Sequence, residues 1–345
     1  MRKPPAKKRR KKAPPFRRSR YMLKQAENLF PDEIEREKFL AALESGSSRE
    51  PAIIVLQERP EIRTFPRLAP LPWQPDFVHR LHQDFRPGQH PLYEKGSYYS
   101  LDLSSVFSAS LMMAIPNLVR NVLDVCSAPG GKAIFASRAF SPERLMCNET
   151  IRKRTGSLID NLHRCQIRGA FVWSADPSVY VKHFPHAYDL VLVDAPCSGQ
   201  SLLAKGRAAD GCWSPEMIDM CVGRQRRILG NAIRCVRPGG YLLYATCTYA
   251  MKENEKVVQW MLDQHPEVRA VEVETHRDFR SAYSPHPCYR LFPQSGLGAG
   301  AFGALFQVDP QAEIEREFVW PPADQIPAIW RSGDPARKRP IGSDT

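Results

Sequence analysis

From about residue 100 the chain repeats one pattern: a short apolar run, a turn, then a longer stretch with helical spacing. The runs fall at 122–125, 144–147, 170–173, 190–193 and 241–245, and helical stretches at 132–140, 151–165, 215–236 and 253–262. Strands this short, separated by helix-length connections, pair as parallel neighbours, because antiparallel partners need only a tight turn. The pattern therefore predicts an α/β fold with a doubly wound, mostly parallel sheet. The turn Arg237-Pro-Gly-Gly240 precedes the fifth strand, and 301–308 reads as a final one. Upstream, 31–43 places Ile34, Phe39, Leu40 and Leu43 near helical spacing behind early acids, and 52–56 is a buried-strand candidate. Prolines and aromatics crowd 57–98. The expected organisation is a small α+β accessory domain over 21–100, the main domain over 101–308, and an irregular tail over 309–345, where six prolines fall.

Charge marks out one more segment. Residues 1–20 hold eleven Lys or Arg and no acid; removing these from the 49 basic residues leaves 38 against 37 acidic ones. Nearly all of the +12 net charge thus sits in an arm too polar to bury a core, expected to be disordered and suited to polyanion phosphates. The longest nearly uncharged stretch, 106–116, falls short of the roughly 18 to 20 apolar residues of a membrane span. No apolar core follows the basic start, so neither a secreted nor a membrane protein is expected. Nine cysteines without a CxxC pair argue against disulfides or a zinc ribbon and for a reducing compartment, here the cytoplasm. His183 and His186 lie in a Pro-flanked loop, and no metal site is expected there.

Candidate chemistry gathers at the strand ends. Asp124-Val-Cys126-Ser127-Ala128-Pro129-Gly130-Gly131-Lys132 follows the first strand and opens a helix. Adjacent glycines let backbone approach a ligand, and the helix start offers free N–H donors. The spacing is neither GxGxxG nor GxxxxGK[ST], which disfavours dinucleotides and nucleoside triphosphates. Glu149 follows the second strand, where it could accept ribose hydroxyls; Asp176 follows the third, near an adenine edge; Asp194 ends the fourth. One acid after a strand is usually a helix cap, but three in order behind a Gly-rich turn point to an adenosyl ligand. Cys197 and Cys247 follow the fourth and fifth strands, which as parallel neighbours would bring both sulfurs to one rim. Two thiols and a carboxylate there suit a ring carbon that must be made nucleophilic. Cys147, Cys165, Cys221 and Cys235 read instead as small buried apolar residues.

These motifs resemble a known family. CSAPGGK at 126–132, DAPCSG at 194–199 and TCT at 246–248 are similar to the RNA cytosine-C5 methyltransferases of the Sun-domain (NSUN) family. Tyr99 to Ser105, Trp213-Ser-Pro215, Gln225-Arg226, Arg237 to Gly240, Glu253-Asn254-Glu255 and Leu291-Phe-Pro293 extend the likeness over residues 88–308. Gly88, His90, Tyr93, Gly96, Tyr99 and Asn148-Glu149 look closest to the bacterial RsmF-type branch, which modifies 16S rRNA. The resemblance implies a Rossmann-like methyltransferase core that holds S-adenosylmethionine through Cys126, Ser127, Ala128, Pro129, Gly130, Gly131, Lys132, Glu149, Asp176 and Asp194. It further implies Cys247 as nucleophile, Cys197 in product release, Asp194 on the cytosine edge and Lys132 arranging the site.

The expected substrate is rRNA, free or in a ribosomal subunit, with tRNA as nearest alternative and the enzyme a monomer. A DNA cytosine methyltransferase would carry Pro-Cys-Gln, whereas Ser198 follows Cys197 here. A catalytically silent RNA-binding or ribosome-assembly factor is the contrasting class, and Lys132, Asp194, Cys197 and Cys247 together argue against it. Two departures stand out. Residues 205–211 lack the usual Asp-Pro-Asp, and the C-terminal RNA-binding extension of RsmF-type enzymes is expected to be missing or reduced to the tail, leaving the basic arm as substitute contact.

Overall fold

The computed structural model describes residues 18–46, 50–207, 211–314 and 316–335. Two helices come first, α1 (Arg20–Leu29) and α2 (Glu33–Ser45), each opened by a side-chain cap, Ser19 and Asp32. The end of the arm expected to be disordered is therefore ordered: Arg18 pairs with Glu37 and Glu44 of α2, and Arg20 begins α1. Residues 1–17 lie outside the described residues.

Next come β1 (Pro51–Val55), β2 (Val78–Arg80), α3 (Pro91–Glu94) and β3 (Tyr98–Asp102), the three strands forming an antiparallel sheet in the order β2-β1-β3. Alternate residues of β1 face opposite ways. Ile53 and Val55 close a small core with Ile62, Phe65 and Tyr98, whereas Ala52 and Ile54 join the main core. The boundary expected at 100 falls inside β3, which runs into α4 (Leu103–Ser110) under the Asp102 cap. Nor do the N-terminal elements form one unit. The α1–α2 pair packs away from the small sheet, through Phe39, Leu40 and Leu43 onto Trp213, Tyr249 and Ala299.

The main sheet alternates with helices in chain order: β4 (Asn121–Asp124), α5 (Gly131–Phe140), β5 (Arg144–Asn148), α6 (Thr155–Arg164), β6 (Ala170–Trp173), α7 (Pro177–His183), β7 (Tyr188–Asp194), α8 (Ser201–Ala204), α9 (Pro215–Ala232), β8 (Val236–Thr246) and α10 (Glu255–Gln264). Then follow β9 (Val268–Ala270), β10 (Tyr289–Leu291), β11 (Ala301–Val308) and β12 (Trp330–Arg331). The order is β10-β11-β8-β7-β4-β5-β6-β12, with β9 also on β11; β4 to β8 pair in parallel and the flanking strands antiparallel. Along β7, Leu190 and Leu192 face the layer of α5 and α6, and Val191 and Val193 face α9 and α10. That two-sided burial is why the strand reads as an unbroken apolar run.

Two expectations need correction. Residues 237–240 are not a turn ahead of the strand; β8 begins at Val236 and runs through them as an irregularity, with Gly239 at φ +74°. A Cβ on Gly240 would meet the Val236 side chain at 2.8 Å and the Arg237 carbonyl at 2.9 Å. The C-terminal segment is not wholly irregular either. Trp330 is buried and β12 extends the sheet beside β6, because the exposed edge of β6 offers backbone partners that no local sequence pattern records. Among the described residues no helix is long and apolar enough to cross a membrane.

Candidate active site

Strand order reverses at β4, which lies between β5 and β7, so a crevice opens at the carboxyl ends of these strands. Asp124 ends β4 and is 1% exposed, and neither carboxylate oxygen makes a well-formed hydrogen bond. Burial, helped by the neighbouring Asp194, pushes its pKa up to about 7, although the nearby Ser127 hydroxyl and Lys132 ammonium oppose the shift. The turn that follows depends on Gly130, whose φ of +110° caps α5. Lys132 in the first turn of α5 is buried and reaches across to β7, with Nζ 2.8 Å from Asp194 Oδ2. One ion pair thus joins the first glycine-rich loop to the end of the fourth core strand.

The other acids at this rim differ in how far they are committed. Glu149 is buried, its Oε1 accepting the Ile151 N–H at 2.9 Å and its Oε2 2.9 Å from Arg154 Nη1. Arg154 also donates to the Ala128 carbonyl at 2.7 Å, tying Glu149 to the glycine-rich turn. Asn148 braces the same rim between the Val125 and Ala175 carbonyls. Asp176 caps α7 through the Ser178 N–H and hydroxyl and pairs with Arg227 at 3.1 Å. Those bonds, the Ser178 N–H foremost, hold its carboxyl below the ordinary range. Its first duty is structural. Cys126 stands half-buried, with a thiol that burial pushes far above its ordinary range.

At the ends of β7 and β8, where Asp194 lies opposite Ala245, the sulfurs of Cys197 and Cys247 approach to 3.2 Å. The Cys247 N–H also donates to Cys197 Sγ at 3.3 Å. Cys247 is exposed and Cys197 half-buried. The contact splits the two thiols. Chiefly because Cys197 donates to it, the Cys247 pKa is lowered; Lys205 and the Ser201 hydroxyl assist, while desolvation and Asp194 oppose. Cys197 is pushed up by the same contact, then by burial and by Glu253. Cys147, Cys165, Cys221 and Cys235 are buried apolar residues, as anticipated.

Behind the sulfurs stands Glu253, a residue to which the sequence assigned no role. Its fully buried carboxylate accepts from the Ser198 N–H (2.9 Å), the Ser198 hydroxyl (2.5 Å), the Gln225 amide (2.9 Å) and the Thr248 hydroxyl (3.3 Å). Ser198 follows Cys197 and Thr248 follows Cys247, so one carboxylate ties the two thiol loops together. Gln225 also reaches the Pro196 carbonyl at 3.2 Å. The only sequence signal was that Glu253, Gln225 and Ser198 each sat in a motif. That they meet depends on α9 and α10 packing side by side.

Comparisons with known proteins give the family and the fold. The family described as 16S rRNA methyltransferase RsmB/F matches residues 112–307. The chain belongs to that family. It is 34% identical over 236 residues to "Ribosomal RNA small subunit methyltransferase F" of Klebsiella pneumoniae (strain 342), covering 66% of this chain and 49% of that protein. With the protein of the same name from Pectobacterium carotovorum subsp. carotovorum (strain PC1) it shares 29% over 293 residues, 80% of this chain and 60% of the other. The chain thus spans about half of the curated relatives it matches. Among solved structures, NSun6 from Pyrococcus horikoshii with SFG superposes with a TM-score of 0.70 at 17% identity, over 84% of this chain and 98% of that one. A methyltransferase homolog protein from the same organism gives 0.65 at 19%, over 84% and 99%. These likenesses establish the expected fold: a Rossmann-like methyltransferase sheet with a smaller N-terminal sheet.

Proposed function

We propose that this chain transfers a methyl group from S-adenosylmethionine to carbon-5 of a cytidine in 16S rRNA through a transient bond to Cys247. The observation that carries this reading is the 3.2 Å contact between two thiols that splits their acidities, beside an Asp–Lys pair at the switch point. The relatives' shared name, ribosomal RNA small subunit methyltransferase F, supports the choice of RNA.

The residues present fit an adenosyl sulfonium amino acid. Asp124 and Ser127 carry buried oxygens without well-formed partners, and Glu149 keeps one oxygen that only an ion pair serves. Buried acceptors left this way are costly unless a ligand supplies donors. An ammonium and two ribose hydroxyls would do so, with the 126–132 turn, Glu149, Asp176 and Asp194 around them. When bound, S-adenosylmethionine supplies an electrophilic methyl carbon.

The remaining chemistry belongs to the chain. Carbon-5 of cytosine is a poor nucleophile until a thiolate adds at carbon-6. Cys247, its pKa lowered, forms that carbon–sulfur bond, and the displaced ring pair moves toward carbon-5. Asp194, oriented by Lys132, accepts the exocyclic N–H and fixes the cytosine edge, while the Lys132 ammonium offsets the negative charge that builds on the ring. After carbon-5 is methylated, Cys197 takes its proton, the C–H pair restores the ring double bond, and the carbon–sulfur pair returns to Cys247. The split acidities make this order natural. While Cys247 is a thiolate, its contact keeps Cys197 protonated; once Cys247 is bonded to carbon that influence ends, Cys197 releases its proton to water, and the thiolate left behind serves as base. A base paired in a helix must first leave its stack.

In this reading the enzyme works as a cytoplasmic monomer, with the small sheet and the basic segment 1–17 contacting phosphates. Incubation with methyl-labelled cofactor and 16S rRNA, followed by bisulfite mapping, should place label on one cytidine, and Cys247→Ala should place none. Equal label from both proteins would end the proposal.

A further inference from the structure

A groove of about 510 Å³ lies between the small sheet and the loop that follows Cys197, and none of its lining comes from the loops after β4, β5 or β6. One wall is the segment 83–89, with Phe85 and Arg86; the other holds Leu202, Lys205 and Arg207, and Leu101 of β3 lies between them. Its two acids already have partners. Glu50 pairs with Arg80 at 2.5 Å, and Asp102 caps α4 and lies 3.7 Å from Lys205. Arg86 and Arg207 are exposed and have no acidic partner among the described residues. Arg86 is tethered by one nitrogen to the Gln83 carbonyl at 2.5 Å, which leaves its other donors for a ligand.

We infer that this groove holds the nucleotide next to the target cytidine, with Arg86 and Arg207 on its phosphates and its base against Phe85, Leu101 and Leu202. The inference rests on the RNA reading above and names the part of the chain that grips the substrate beside the reacting base. The volume lies within the range of pockets that enclose a small ligand. Two guanidinium groups without a carboxylate partner among the described residues are suited to planar, bidentate capture of phosphate. Lys205 belongs both to the groove and to the electrostatic surroundings of Cys247, so a strand with one base at that thiol has this groove beside it. The position also gives Arg207, which stands where the usual Asp-Pro-Asp is lacking, a use as a cation on that wall.

The test uses the full chain, the double variant Arg86→Ala/Arg207→Ala, and a control with two exposed cations removed outside both the groove and the small sheet, Arg63→Ala/Lys95→Ala. Binding of a fluorescent single-stranded RNA of about twelve nucleotides is followed against salt. Loss of two phosphate contacts should flatten the log–log salt dependence by roughly 1.4 and weaken binding about tenfold or more. The RNA KM should rise by a similar factor, with kcat within about twofold because the thiol pair is untouched, and the control should behave as the parent. A double variant indistinguishable from the control in both slope and KM overturns the groove assignment. The two readings fail separately. RNA held through these arginines without any methyl transfer would leave the groove standing and the proposed reaction fallen. Methyl transfer to cytidine with an unchanged KM would do the reverse.

Discussion

The two halves of the catalytic rim are built on opposite principles. Around β4 and β5, buried oxygens of Asp124 and Ser127 lack well-formed partners, and Asp124 is pushed up to about 7. Around β7 and β8 the loops are cross-braced: Glu253 ties Ser198 to Thr248, and Cys197 hydrogen-bonds to Cys247. A half that must bind and release a ligand keeps unmet valences for it to satisfy. In the proposed reaction, the half that forms and breaks a covalent bond holds its reacting atoms in place beforehand.

The largest effect expected is all-or-none and lies between the two thiols. Cys197→Ala should trap the protein on RNA as a slow band in a denaturing gel, whereas Cys247→Ala should yield no band. A band from Cys247→Ala would reverse the assignment of their roles.

The next prediction sets the two halves against each other. Glu253→Ala strands the Ser198 N–H and the Gln225 amide, at about 1–3 kcal/mol per buried donor, so the urea midpoint should fall. Asp124→Asn should do the opposite at neutral pH. The native Asp124 pKa lies above its unfolded value near 3.8, so the folded chain binds the extra proton between about 4 and 7. Stability of the ligand-free protein should therefore decline as pH rises through that window, by up to about 4 kcal/mol, and Asp124→Asn should remove most of the slope. Parallel pH–stability curves for parent and variant would erase the contrast between the halves.

A smaller effect concerns Cys247 alone. Removing the nearby charge with Lys205→Ala should move the pH midpoint of its alkylation by iodoacetamide upward. An unmoved midpoint would remove Lys205 from the causes and leave the shift to the Cys197 and Ser201 contacts. The smallest concerns the arm: deleting residues 1–17 should flatten the salt dependence of RNA binding without changing kcat, and equal slopes would leave that segment without a part in binding.

Most of the sheet was legible because its strands are buried on both faces and leave a composition signal that needs no context. The edge strand β12 and the passage of β8 through residues 237–240 were not, since each depends on a partner edge distant in sequence. At the site, the motifs pointed to Asp124 through Lys132, Asp194, Cys197 and Cys247, and the fold brings Lys132 to Asp194 and Cys197 to Cys247. Asp176 shows the converse: an acid after a strand caps a helix whether or not it also meets a ligand. Glu253 stayed mute, since a buried acid in a helix-opening motif looks like any other until its donors arrive from three separate segments.

The order of residues by itself determined the alternation of strand and helix, and with it the rim on which every candidate group sits, because periodicity and turn chemistry are local properties. Only the tertiary structure decided which thiol is the more acidic and which acids stay unsatisfied. Proton affinity depends on what stands within a few ångströms and on how much water is excluded, and those neighbours come from chain segments tens of residues apart.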